Sequence, residues 1–120
     1  MASARATVVG ADGRVICASC RVAATFATRL RGLLGRRELA PEEGLLIRPA
    51  SSIHTFFMRF SIDVVFLDGA GHVLKLVSDV RPWRIALARG ARETLELPAG
   101  RATAAGLAIG ERLRLAEAAR

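Results

Sequence analysis

The stretch 62–77 restricts the fold more than any other part of the chain. Ile62, Val64 and Phe66 alternate with Asp63, Val65 and Leu67; Asp68-Gly69-Ala70-Gly71 supplies a turn; residues 72–77 return. Successive side chains of a strand point to opposite faces. Val73, Lys75 and Val77 therefore share one face of the returning strand, and His72, Leu74 and Leu76 the other. A hairpin with apolar residues on both faces has to be covered on both, so the two strands are expected centrally in a sheet.

The rest of the chain reads as short strands and tight turns. Residues 6–10 and 14–18 form a first hairpin around Asp12-Gly13. Leu45-Leu46-Ile47 is a short buried strand ending at Pro49, residues 94–97 are another, and Arg112-Leu113-Arg114-Leu115 alternates as the last. Arg81-Pro82-Trp83-Arg84 is a bend, residues 53–60 are apolar without a period, and residues 101–105 suit one helical turn. Only 22–34 has helical spacing, through Val22, Phe26, Leu30, Leu33 and Leu34, with Gly35 as its stop. The expected fold is mainly β, a small α+β domain: a compact antiparallel sandwich or barrel with one helix on its side. A length of 120 residues suits a single domain over 1–120.

Composition narrows the function classes. Hydrophobic residues make up 52% of the chain and aromatic ones 5%, so the core is aliphatic. No apolar run approaches the roughly 20 residues of a membrane-spanning helix, and Asp12 and Arg14 interrupt the place of a signal-peptide core, which points to the cytoplasm. The net charge is +7, yet Lys75 is the sole lysine and the arginines are dispersed, which disfavours nucleic-acid binding.

Several residues could carry chemistry. Cys17 and Cys20 form a C-x-x-C pair, a spacing used by redox sites and half zinc sites, or simply two small residues at a strand end. The two histidines, His54 and His72, lack the spacing of a second zinc half-site, so no metal or cofactor is expected. His54 suits a general base, a ligand or a structural hydrogen bond. Asp63, if covered, needs a partner, and Arg59, four residues away, is available. Glu96 lies between Leu95 and Leu97 and could join Asp63 as an acid–base pair or an ion network. Phe56, Phe57, Met58 and Trp83 suit a pocket wall or core, and Trp83, between arginines in a bend, suits contact with a partner protein.

Taken in order, Arg31-Gly32-Leu33-Leu34-Gly35-Arg36, Glu43-Gly44-Leu45-Leu46, the run from Ile53 to Phe60, Ile62-Asp63-Val64-Val65-Phe66-Leu67-Asp68, Arg81-Pro82-Trp83-Arg84, Leu95-Glu96-Leu97-Pro98-Ala99-Gly100 and Gly110-Glu111 resemble the bacterial and archaeal domain of unknown function 192. The resemblance implies a mainly β domain with one helix and names no catalytic residue. It places the chain with the shorter, signal-less relatives. The chain departs from many relatives at Arg59-Phe60-Ser61, where they carry a lysine followed by Asn-Thr, and at Ala50-Ser51, where short relatives often carry a cysteine. The function expected is a binding or accessory domain that engages a small ligand or a partner protein through His54, Met58, Arg59, Asp63, Trp83 and Glu96. The alternatives are an enzyme using His54 with Asp63 or Glu96, and a basic nucleic-acid-binding protein.

Overall fold

The computed structural model describes residues 4–25, 28–29 and 32–117. In chain order these contain β1 (Ala4–Val9), β2 (Val15–Ala23), β3 (Glu43–Ile47), β4 (Ser52–His54), β5 (Ile62–Leu67), β6 (Val73–Val80), β7 (Ile85–Leu87), β8 (Glu93–Pro98), the helical turn α1 (Arg101–Ala104) and β9 (Arg114–Glu117). Seven strands form one sheet in the order β6-β5-β8-β3-β2-β1-β9, while β4 and β7 form a separate antiparallel pair.

The sheet is mixed, not antiparallel throughout. β2 and β3 run parallel, from Ser19↔Glu43 to Ala23↔Ile47, because residues 24–42 cross over between them. Near the other end of the chain, Val73 N–H donates to the Glu111 carbonyl (2.8 Å) and Leu113 N–H to the Gly71 carbonyl (2.8 Å), so the segment feeding β9 meets the start of β6. Gly71 permits this contact. Its φ is 93°, and a Cβ there would lie 2.3 Å from the Leu113 oxygen. The sheet thus curls toward itself, with a bridge between His72 and Arg112 joining its two edges.

Cross-strand partners define two faces. Arg21 pairs with Leu45, Leu45 with Glu96 and Glu96 with Val64, so these four share one face. Val22, Leu46, Leu95 and Val65 form the adjacent row and share the other. Each face has its own core. Leu46, Val65, Leu95 and Leu97 pack with Ala105 and Leu113, beneath α1 and the loop after it. Leu45, Val64 and Phe66 pack with Leu33, Ile53, Met58 and Ala86, beneath the β4–β7 pair and the crossover.

Two expectations are corrected. β5 is central and wholly buried, but β6 is an edge strand, with Leu74 and Lys75 exposed. Its apolar residues on both faces mark an edge close to the segment leading into β9. The helix expected over 22–34 does not begin at Val22, since Val22 and Ala23 continue β2 and pair with Leu46 and Ile47. Thr25 forms a bend beyond the end of β2, and Thr25 and Thr28 accept each other's backbone N–H on their hydroxyls (both 3.1 Å). Thr28 and Arg29 are helical, Gly32 to Gly35 form a turn, and Phe26 and Leu30 lie outside the described residues.

Candidate functional site

The densest motif, from His54 to Met58, sends its side chains to different places. Thr55 is fully buried. Its hydroxyl donates to the Arg81 carbonyl (2.6 Å) and accepts the Arg84 N–H (2.9 Å). Its backbone carbonyl accepts the Trp83 N–H (3.0 Å) and its N–H donates to the Arg84 carbonyl (2.9 Å). Thr55 thus clamps the bend 81–84 on β4 and holds Trp83 outward at a φ of 66°. Phe56 stacks on Trp83 with ring centroids 5.6 Å apart, and Phe57 leans on it at 4.7 Å. His54 continues the row, 4.9 Å from Phe56, and its Nδ1 accepts the Phe56 N–H (3.3 Å), so the neutral ring carries its proton on Nε2.

Met58 turns inward to a cavity of about 490 Å³ between the crossover, β4 and the outer side of β8. Buried Leu33, Ile53, Met58, Ala91 and Glu96 line its floor, and exposed Arg29, Ser51, Ser52, His54 and Arg92 surround its mouth. The walls are pinned from behind. Thr94 donates its hydroxyl to the Ala50 carbonyl (3.1 Å), and Ala50 N–H donates to the Arg92 carbonyl (3.0 Å). Arg21 donates to the Gly32 carbonyl and fixes the opposite wall.

Glu96 is the unusual member. It is 3% exposed. Burial pushes its pKa up to about 8, although the charge of Arg21 on the same face pulls the other way. One strand, β3, lies between Arg21 and Glu96, so the guanidinium acts on the carboxyl from across the face and offsets only part of the effect of burial. The carboxyl is therefore largely neutral at pH 7 and can donate a hydrogen bond, or ionise when a cation arrives.

Asp63 does none of this. It pairs with Leu97, one residue out of phase with Glu96, and so faces the opposite side of the sheet. Its Oδ1 accepts the Asp79 N–H (2.9 Å), and its Oδ2 accepts those of Gly100 (3.0 Å) and Ala102 (2.9 Å). It ties β6 and α1 to β5. An acid–base pair of Asp63 and Glu96 is thereby ruled out, and backbone amides, not Arg59, satisfy Asp63. Arg59 is exposed and, like Trp83, does not line the cavity. Of the six residues singled out in the sequence, His54, Met58 and Glu96 meet at one cavity.

The C-x-x-C pair is internal. Ala6 faces Cys20 while Val8 faces Cys17, two residues against three, so a bulge turns both thiols to one side despite their odd spacing. Both are buried in the core under α1. Cys17 Sγ donates to the Glu42 carbonyl (3.4 Å) and Cys20 Sγ to the Arg21 carbonyl (3.7 Å), and the nearness of the two thiols lowers the pKa of Cys17 and raises that of Cys20. Among the described residues no group of three or more His, Cys, Asp or Glu is arranged to hold a metal.

Sequence reasoning passed over Arg29 and Arg92 because arginines are everywhere in this chain and none stood out. It also passed over Arg14, which reaches Glu111 with two nitrogens (2.7 and 2.8 Å) and holds the loop after α1 to the first hairpin. That contact explains why Glu111 belongs with the other motifs, and it lowers the pKa of that carboxyl.

Several known proteins are similar to this chain in sequence or fold. A UPF0127 protein of Thermococcus sibiricus is 38% identical over 97 residues, 73% of this chain and 60% of that protein. The chain thus spans less than two thirds of that relative's length. A UPF0127 protein of Pyrococcus furiosus is 33% identical over 108 residues, 84% of this chain and 90% of its own. Among solved structures, a Sinorhizobium meliloti 1021 protein superposes with a TM-score of 0.84 at 24% identity, over 96% of both chains. A Novosphingobium aromaticivorans protein of unknown function superposes with a TM-score of 0.78 at 24% identity, over 92% of this chain and 83% of its own. These two show a common fold. Among the described residues no helix is long and apolar enough to cross a membrane. Residues 7–115 match DUF192, described as an uncharacterized ACR, and the chain belongs to that family.

Proposed function

We propose that this chain is a small-molecule-binding domain whose site is the cavity under β4, with Glu96 at its floor, Met58 on its wall and His54 at its mouth. The observation that carries this reading is the buried carboxyl-bearing side chain of Glu96, 3% exposed, lining a space of about 490 Å³. Burying a carboxyl costs stability, and a ligand that hydrogen-bonds to it recovers part of that cost on binding. The volume lies in the range of ordinary ligand pockets, roughly 300–1,000 Å³. Native mass spectrometry of protein purified gently from its own host tests the reading. Wild type should retain a small molecule that Glu96→Gln and a mouth-filling Ser52→Trp variant release. A wild type that carries none, and binds none from a library of polar metabolites, would contradict it.

A second reading concerns partner proteins, favoured by the exposed row of Phe57, Trp83, Ile85 and Leu87, which are 71, 55, 64 and 56% accessible. Arg59, Arg81 and Arg84 are exposed in the same segments. An apolar patch with a basic rim suits an acidic amphipathic segment of another protein. Trp83 is the sole tryptophan, so its fluorescence should shift to the blue when a Glu- and Leu-rich helical peptide binds. An unchanged spectrum up to millimolar peptide would remove this reading.

A further inference from the structure

The cavity's charges lie at opposite ends of an apolar trough. Glu96 closes the floor, Arg92 stands at the mouth, and Leu33, Ile53 and Met58 lie among the lining residues. Arg92 immediately precedes β8, Glu96 lies within it, and both line the cavity. Three residues lie between them, and because 93–96 is extended strand the two backbones are roughly 13 Å apart. Thr94, midway, does not bridge them, because its hydroxyl is committed to Ala50. A ligand touching both ends therefore needs a positive group and a negative group held well apart by an apolar body.

Resting on the small-molecule reading above, we propose that the cavity takes a zwitterion with widely separated charges, its ammonium on Glu96 and its carboxylate on Arg92, with Arg29 beside the mouth. An α-amino acid carries its two charges on one carbon and cannot span the trough, whereas an ω-amino acid or a short peptide can. Within the site the roles differ. Glu96, buried and desolvated, gains most from a cation. Arg92, exposed, steers and orients the carboxylate. Removing Glu96 should therefore cost more affinity than removing Arg92.

The test uses 6-aminohexanoate and its isomer norleucine, which have the same atoms but different charge separation. Hexylamine and hexanoate carry one charge each, and hexanol none. The chain has two methionines, so a methyl-labelled sample reports binding at Met58 with little overlap. The expected result is saturable movement of the Met58 methyl by 6-aminohexanoate, with Kd at least tenfold lower than for norleucine, hexylamine or hexanoate. Glu96→Gln should weaken binding at least tenfold, and Arg92→Gln by a smaller factor. Equal affinity for norleucine overturns the charge separation. Equal affinity for hexylamine or hexanoate overturns the two-ended contact. If only hexanol moves the methyl, the cavity binds ligands but the zwitterion is wrong. If none of the five does, this proposal fails, while the small-molecule reading is decided separately by the mass spectrometry described above.

Discussion

Glu96 and Asp63 show how far burial alone can mislead at the level of the residue. Both carboxylates lie in strands among aliphatic neighbours, and both are covered. Asp63 is surrounded by donors from two other segments and acts as a structural tie. Replacing it with alanine strands three backbone N–H groups and should cost on the order of 3 kcal/mol, measured by urea unfolding. The raised pKa of Glu96 has a definite sign. Between about pH 4.5 and 8 the folded chain keeps a proton that the unfolded chain releases, so stability falls as pH rises through that window. Above it the penalty is on the order of 5 kcal/mol. Glu96→Gln should flatten this dependence and stabilise the protein most at pH 8 and above. A variant whose stability keeps the wild-type pH slope would contradict that assignment. Sequence alone revealed that these two acids were unusual. It could not reveal which face each one takes, because that depends on the register between β5 and β8.

At the scale of elements, the strands were readable and their neighbours were not. Alternation located β5, β6 and β9, and turn signals and short apolar runs located β1, β3 and β8, to within a few residues, whereas β2 runs five residues past its expected end at 18. The short pair β4 and β7 escaped, because three residues are too few to show a period. The helix start was misplaced because Val22 and Ala23 fit a helical stripe as well as a strand, and the capping threonines decide between them. Two elements carry predictions. Thr55→Val keeps the shape of the side chain but removes the hydroxyl that clamps the bend 81–84. It should cost about 1–3 kcal/mol and shift Trp83 emission to the red as the bend loosens. Gly44 on β3 is wedged beneath the cysteines. A Cβ there would sit 2.8 Å from the Cys17 sulfur and 3.0 Å from the Glu96 carbonyl. Gly44→Ala should destabilise by about 1–3 kcal/mol, and Cys17→Ala in the same chain should recover part of the loss.

For the molecule as a whole, one twisted mixed sheet separates two kinds of ground. The side under α1 is tightly filled, with its thiols and Asp63 internally satisfied. The side under the β4–β7 pair keeps a cavity and, next to it, an exposed aromatic row. His54 belongs to both, lining the cavity and stacking on Phe56. The proposed site lies on the second side, and the proposal rests on the buried Glu96 carboxyl lining that cavity. A carbon-13 NMR titration of the Glu96 side-chain carboxyl in the free protein measures that directly. The predicted result is a midpoint near pH 8 that moves downward when 6-aminohexanoate is added. A midpoint in the ordinary carboxylate range, unmoved by the amine, would mean that the carboxyl is already solvated or paired and that the cavity is not built around it.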